Sequence, residues 1–330
     1  MKNNYLMIIS LKGILKYFKD TFVESLVIAL PLYKIMIPML ILIKILKELG
    51  FIEILGNWLA PAMALVGLPG SMGLVWAATM LGGFFPGIII FADLGPAEFL
   101  TVSQVTVLSS LMLIAHSLPI ELQIADKAGA RWISMGIIRV LGALLYGILL
   151  NKILIWGDWF SEKSVLLWYP KTESADLKSW GLEQIKALLI MFFILFLLLQ
   201  FMKLRDLLGL DKVLKFFFQP LLKKLGIGSE ATNITVIGMT LGIAYGGGLI
   251  IRESNNGRIP SRDVFFSLVL MGFLHSIIED TILMILLGGS IWGILIGRII
   301  FAFFIVWLMV KIFSFLPEKS FKKFFFKDRS

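Results

Sequence analysis

Six long runs of apolar residues alternate with short polar segments along the chain. Each run holds about the 20 residues that an α-helix needs to cross the hydrocarbon layer of a membrane. The runs cover residues 23–45, 71–91, 132–155, 182–202, 231–251 and 291–313. This pattern predicts an all-α integral membrane protein.

Composition strengthens the prediction. Of the 330 residues, 58% are apolar and 16% are charged, and the mean hydropathy is +0.90. A soluble domain of this length could not cover so many apolar side chains with polar surface, so a soluble enzyme is excluded. The sequence has no cysteine, which excludes a disulfide scaffold and thiolate metal sites. The net charge of +9 is typical of basic residues at the cytoplasmic face of a membrane, and no nucleic-acid partner is expected.

Two further apolar segments, 102–128 and 261–287, are each interrupted near the middle by polar residues. The first contains His116-Ser117-Leu118-Pro119 and the second contains His275-Ser276. Each arm is too short to cross a membrane comfortably by itself. We therefore expect two re-entrant helical hairpins whose tips lie inside the membrane.

An internal repeat relates the two halves of the chain. His116-Ser117 and His275-Ser276 are 159 residues apart (275 − 116), and the same offset aligns many residues that are rare in so apolar a sequence. These aligned pairs include Glu24 with Glu183, Pro61 with Pro220, Gly83 with Gly242, Gly87 with Gly246, Glu121 with Asp280, and Arg139 with Arg298. The duplication divides the chain into an amphipathic N-terminal helix (1–20), a first repeat (21–155), a linker (156–181), a second repeat (182–315) and a basic tail (316–330).

Charge predicts how the repeats are oriented. Both ends of the chain are rich in lysine, whereas the linker has four tryptophans and balanced charge, so we expect both termini in the cytoplasm and the linker outside. Each repeat then crosses the membrane an odd number of times, as three helices plus a hairpin, and the two repeats are inverted relative to each other. One loop conflicts with this topology, because it places Arg252, Arg258 and Arg262 outside.

The candidate chemistry centres on the two histidines, the only ones in the sequence. His116 and His275 occupy matching breaks, and an acid follows each by five residues, Glu121 and Asp280. Ionisable groups inside a membrane are costly and usually functional, although a packing role is the alternative. A histidine beside a carboxylate can carry a proton or orient a polar solute.

Other residues join this candidate site by position. Arg139 and Arg298 are expected either to form salt bridges with Glu121 and Asp280 or to contact an anionic substrate, and the two serines to cap the second arm of each hairpin. The glycines permit close approach of a ligand or tight helix packing. The substrate-binding candidates are His116, Ser117, Glu121, Arg139, His275, Ser276, Glu279, Asp280, Gly83, Gly87, Gly246 and Gly247.

Three segments of the first repeat carry a family resemblance. They are Leu81-Gly82-Gly83-Phe84-Phe85-Pro86-Gly87, His116-Ser117-Leu118-Pro119-Ile120-Glu121, and Gly129-Ala130-Arg131 with Arg139. They resemble the nucleoside recognition, or Gate, domain family, which includes bacterial spore maturation membrane proteins and is similar to parts of the ferrous iron permease and of concentrative nucleoside transporters. The second repeat departs from the pattern at Gly246-Gly247-Gly248 and lacks the proline. The resemblance implies a bacterial inner-membrane protein and supports transport more strongly than any one solute.

Three functions remain open. The first is a secondary transporter or facilitator of a small polar solute, nucleoside-like by resemblance, bound between the two hairpin tips. The second is a divalent metal cation permease that uses the histidines and the acids Glu121, Glu279 and Asp280. The third is a non-transporting membrane assembly or sporulation factor. No hydrolase, phosphate-loop or HExxH motif occurs in the sequence, so we expect that the protein is not an enzyme and has no cofactor. The expected partners are a small-molecule solute and membrane lipid, and a homo-oligomer is possible.

Overall fold

The computed structural model describes residues 11–165 and 176–327, which are helical apart from short connections and two isolated β-bridges. The predicted all-α class is confirmed. Parts of the predicted N-terminal helix, linker and tail lie outside the described residues. The helices are α1 (Leu11–Glu48), α2 (Phe51–Leu65), α3 (Met72–Gly82), α4 (Phe84–Glu98), α5 (Val102–Ile114), α6 (Leu118–Lys127), α7 (Trp132–Trp156), α8 (Leu177–Leu208), α9 (Leu210–Lys224), α10 (Ser229–Leu241), α11 (Ile243–Asn255), α12 (Ser261–Leu274), α13 (Glu279–Leu286), a π-helical turn (Trp292–Gly297), α14 (Arg298–Ser314) and α15 (Glu318–Phe325).

Within residues 11–165 and 176–327, six segments are long and apolar enough to cross a membrane, which makes the chain a multi-pass membrane protein. They are Lys16–Glu48, Val102–Lys127, Trp132–Trp156, Leu177–Phe201, Ser261–Leu286 and Trp292–Ser314. Three of them precede the linker and three follow it. The set differs from the sequence prediction, because it includes both histidine-containing segments and omits 71–91 and 231–251.

The helix bounds repeat at the offset seen in the sequence. Helices α2 and α9 begin and end 159 residues apart, as do the first residues of α4 and α11 and of α5 and α12. The repeat therefore extends from matched residues to matched secondary structure.

The first repeat folds back on itself at Gly83. Helices α3 and α4 pack side by side in opposite directions: Ser71, just before α3, donates a hydrogen bond to Glu98 at the end of α4, and Gly87 leaves room for Thr79. Gly83 forms the turn with φ of +86°, a conformation that side chains with a Cβ rarely adopt. In the second repeat, α10 and α11 form the same pair around Gly242. The segments predicted as single spans, 71–91 and 231–251, are thus antiparallel helical pairs.

The prediction of a hairpin at His116 is wrong, because α5 and α6 continue in one direction. Both pack along α7, whose successive residues meet them in reverse order: Leu122 lies against Gly136 and Leu111 lies against Gly147, with Arg139 between these contacts. The polar residues at the break interrupt the helix without reversing the chain. The segment 102–127 is therefore one broken helix, and 261–286 is a second, made of α12 and α13.

Two segments tie the ends of these broken helices together. The first strap, residues 159–165, pairs with the start of α5 through a hydrogen bond from Val102 N to Glu162 O (3.0 Å), and its Ser164 lies against Gly288 after α13. The second strap, residues 317–327, includes α15. It receives a hydrogen bond from Arg131 N, after α6, at Phe325 O (2.9 Å).

The second strap also pairs with the start of α12, where Arg262 Nε and Glu318 Oε2 are 3.0 Å apart. The start of each broken helix thus lies beside the end of the other. The two broken helices run in opposite directions.

The described parts of residues 1–42 and 169–210 form one compact unit, and the remaining described residues, with both broken helices, form the other. In the first unit, α1 and α8 pack in opposite directions. Lys203 Nζ lies 2.7 Å from Glu24 Oε2, and the Tyr33 hydroxyl donates a hydrogen bond to Leu188 O over 2.6 Å. This unit is a pair of antiparallel apolar helices.

Candidate functional site

The two broken helices meet at their breaks. His116 Nε2 and His275 Nε2 are 2.9 Å apart, although the residues are separated by 159 positions in the chain. Each histidine is only 5% exposed. The predicted convergence of the two histidines is present, at a crossing of two broken helices instead of two hairpin tips.

Both imidazoles are held in the same way. His116 Nδ1 lies 3.0 Å from Met112 O, and His275 Nδ1 lies 2.8 Å from Met271 O, in each case the carbonyl oxygen four residues earlier. A carbonyl oxygen only accepts hydrogen bonds, so Nδ1 is the donor in both rings. In the neutral imidazole the other nitrogen, Nε2, then carries a lone pair. The two Nε2 atoms that face each other are both acceptors in that state.

Glu121 completes the first half of the cluster. Its Oε1 atom lies 3.3 Å from Nε2 of both histidines, and its other oxygen accepts a hydrogen bond from Arg139 Nη1. Arg139 also donates from Nε to Ile114 O over 2.9 Å, at the last residue of α5. Arg139 and Glu121 are both almost fully buried. The expected salt bridge between them is present.

The second repeat differs at the matching positions. Asp280 lies close to the histidines, with the ligand atoms of the three side chains within 4.8 Å of one another. Arg298 is fully buried and donates from Nη2 to Thr281 Oγ1 over 3.3 Å. The prediction of a salt bridge between Arg298 and Asp280 is therefore wrong. Among the described residues, Arg298 Nε and Nη1 have no hydrogen-bond partner, which leaves polar capacity at this position.

The helical pairs cover the breaks. Gly83 lies against Ser117 Oγ and Gly242 against Ser276 Oγ, so each turn contacts the broken helix of its own repeat. Both serines adopt a left-handed backbone conformation, with φ of 47° and 45°. The Ser117 side chain does not form the expected helix cap. In addition, the Phe84 ring lies over His116 with ring centres 4.0 Å apart.

The other predicted glycines lie within helix contacts. Gly87 packs against Thr79, Gly246 against Gly238, and Gly247 against Ile124 of the other repeat. Glu279 is buried at the first residue of α13. The cluster therefore brings together the histidines, Glu121, Arg139 and Asp280, whereas these three glycines hold helices close to each other.

Sequence reasoning missed two residues, Gly242 and Thr281. Gly242 aligns with Gly83 at the repeat offset, so the repeat could have added it to the candidate set. Thr281 carried no signal, because the residue at the matching position in the first repeat, Leu122, is apolar.

A cavity of about 660 Å³ lies apart from the cluster, between α7 and the π-helical turn with α14. Its walls are apolar, and the Tyr146 hydroxyl at its side donates a hydrogen bond to Gly293 O over 2.5 Å. None of the twelve candidate residues lines it. The concentration of ionisable groups at the crossing, and not the size of this cavity, marks the candidate site.

The arrangement at the crossing can bind a small charged or polar species. Lone pairs of two imidazoles and one carboxylate converge on a common point, and Arg139 donates to the other oxygen of that carboxylate. Such groups can hold a cation at the lone pairs or accept a polar solute through hydrogen bonds.

Comparison with known proteins agrees with the resemblance in the first repeat. Residues 29–130 match the family model described as Gate, nucleoside recognition. The uncharacterized membrane protein YvoD of Bacillus subtilis (strain 168) is 26% identical over 279 residues, covering 81% of this chain and 85% of the relative. No solved structure matches the chain. The chain is thus a multi-pass membrane protein whose residues 29–130 match a Gate domain.

Proposed function

We propose that the protein is a secondary transporter of a small polar solute, which binds where the two broken helices cross. The observation that carries this proposal is the buried cluster of His116, His275 and Glu121, assembled from both repeats. Broken helices place free backbone groups inside a membrane, and transporters built from repeats use such breaks as binding sites near the midplane. The description of the matched family supports a nucleoside-like solute.

Inverted topology is the second part of the proposal. Three candidate spans precede the linker and three follow it, so each repeat crosses the membrane an odd number of times and the second is upside down relative to the first. The opposite directions of the two broken helices support this arrangement. The helical pairs α3–α4 and α10–α11 then enter the membrane from opposite sides and return to the side of entry.

This topology removes the charge conflict seen in the sequence. Arg262 pairs with Glu318 in the second strap, so the start of α12 lies on the same side as the C-terminal tail. The nearby Arg252 and Arg258, which both pair with Glu253, precede α12 by a short connection and belong to that side. The basic segments then gather on one side, which the positive-inside rule places in the cytoplasm together with both termini.

The two matched arginines differ in their pairing, and this difference supports a protein that alternates between two states. Glu121 is paired with Arg139, whereas Arg298, at the matching position, is not paired with Asp280. In an inverted-repeat transporter the two repeats exchange conformations between the inward- and outward-facing states. We infer that Asp280 and Arg298 come together in the other state while Glu121 is released.

Uptake into proteoliposomes tests the proposal. Purified protein should take up radiolabelled nucleosides or another small polar solute, and His116→Ala and His275→Ala should each abolish uptake with little change in melting temperature. Ser110→Ala is the control, because Ser110 is buried on the same broken helix and bonds only within it, to Thr106 O. Normal uptake by a destabilised double histidine variant would overturn the proposed site, and would favour a packing role for the cluster.

A further inference from the structure

We infer that the crossing of the two broken helices binds a divalent transition-metal ion through His116, His275 and Glu121. The ion would occupy the same crossing as the proposed solute, and only the transport of the ion, not its binding, rests on the proposed function. The ion would sit between the repeats, with two ligands from the first and one from the second.

The hydrogen-bond donors and acceptors of the cluster leave three acceptor atoms facing one another. Both Nδ1 atoms donate to carbonyl oxygens, so both Nε2 atoms are acceptors, and they face each other across 2.9 Å. The third atom at this point, Glu121 Oε1, is also an acceptor when the carboxylate is ionised, and it lies 3.3 Å from each nitrogen. Three converging acceptors repel one another unless a positive species lies between them. That species is either a proton or a metal ion.

The distances between the three acceptor atoms fit a metal ion. Metal–nitrogen bonds of about 2.0–2.1 Å place neighbouring ligand atoms about 2.8–3.0 Å apart at right angles and about 3.3–3.4 Å apart in a tetrahedron. The three edges of the cluster, 2.9, 3.3 and 3.3 Å, lie within these limits. Two imidazoles and one carboxylate on one face of an ion, with the remaining positions open, form the donor set of many iron(II) sites.

The groups behind the ligands also fit a metal site. A metal-binding imidazole normally donates its other N–H to a carbonyl or carboxylate, and both histidines do so, to Met112 O and Met271 O. Arg139 holds the second oxygen of Glu121 and thereby orients the first. Asp280, close to both rings, is placed to take an open coordination position or to balance the charge of the ion.

Sequence composition makes the site easy to observe. The chain has two histidines and no cysteine, so any imidazole signal arises from this cluster and no thiolate can compete for the metal. The purified protein must carry an affinity tag without histidine. Titration with Co²⁺ and with Zn²⁺ then reports directly on the crossing.

We expect one Co²⁺ to bind per chain, seen by its visible d–d absorption. In protein labelled with ¹⁵N at histidine, Zn²⁺ should shift the Nε2 resonances of both residues while both Nδ1 atoms keep their protons. Single variants His116→Asn, His275→Asn and Glu121→Gln should each weaken binding at least about 100-fold, beyond the 10–100-fold typical of groups behind the ligands. Asp126→Asn is the matched control, since Asp126 lies on the same helix as Glu121 and pairs with Lys327 outside the cluster.

Folding and transport are tested separately from binding. Zn²⁺ should raise the melting temperature of the wild-type protein and of Asp126→Asn but not of the histidine variants, because a ligand stabilises only the fold that binds it. Absence of Co²⁺ binding, or full binding by the double histidine variant, would overturn the metal site; the species between the rings would then be a proton. Tight binding without flux of any solute would support the site and overturn the proposed transport.

Discussion

Replacing the two matched arginines should have unequal effects on stability. Arg139 bonds both to Glu121 and to Ile114 O, so Arg139→Met leaves a buried carboxylate and a buried carbonyl oxygen without their partner. Breaking a buried ion pair from one side costs about 3–5 kcal/mol, and we expect a loss of that size. Among the described residues, Arg298 makes one long hydrogen bond, to Thr281, and two of its buried nitrogens have no hydrogen-bond partner, so Arg298→Met should cost at most about 1 kcal/mol.

Unfolding by SDS in mixed micelles, followed by circular dichroism, measures the difference. We expect the two variants to differ by at least about 2 kcal/mol, roughly a 30-fold difference in the ratio of folded to unfolded protein. The double variant Arg139→Met with Glu121→Gln should recover much of the loss, because it removes the orphaned charge as well. Equal losses in the two single variants would refute the unequal pairing of the arginines.

Two further predictions concern topology and the helical pairs. Single cysteines can be introduced into this cysteine-free chain at the exposed positions Val165, Arg258 and Lys319. An impermeant thiol reagent should label the cysteine at 165 from one side of the membrane and the cysteines at 258 and 319 from the opposite side. Labelling of positions 165 and 258 from the same side would contradict the proposed topology. Gly83→Ala should destabilise the protein by about 1–3 kcal/mol in the same unfolding assay, because φ at Gly83 is +86°. Gly248→Ala is the control and should have little effect, because Gly248 faces open space within α11. Similar losses in the two variants would show that a side chain at Gly83 does not strain the turn.

The fold class and the repeat could be predicted from the sequence because both leave strong local signals. Long apolar runs mark the helices, and residues such as His116 and Arg139 match their counterparts too specifically for chance. The position of the fold-back could not be predicted, because hydropathy treats a break at Gly83 and a break at His116 alike. What separates them is packing: Gly83 adopts a left-handed turn and Gly87 lets the two arms touch, whereas the arms around His116 both lie along α7.

The five residues that cluster at the crossing could be predicted from the sequence, but the ion pairs among them could not. The offset brought Glu121 and Asp280 to matching positions, and it treated the two acids as equivalent. Aspartate is one methylene shorter than glutamate, and the structure pairs only Glu121 with its arginine, while Arg298 meets Thr281. Differences between repeats of this kind arise from side-chain reach and cannot be found by aligning residue types.

The two straps restrict the kinds of motion that this architecture permits. Each strap joins the start of one broken helix to the end of the other, through contacts such as Val102–Glu162 and Arg262–Glu318. Sliding of one helix along the other, as in an elevator, would have to break both straps, whereas bending at the two breaks would break neither. We therefore expect a hinge centred on the histidines, where displacement is smallest, and a bifunctional thiol cross-link between Arg262→Cys and Glu318→Cys should leave flux intact. Loss of flux on forming that cross-link would show that the strap opens in every cycle and that the crossing is not a fixed pivot.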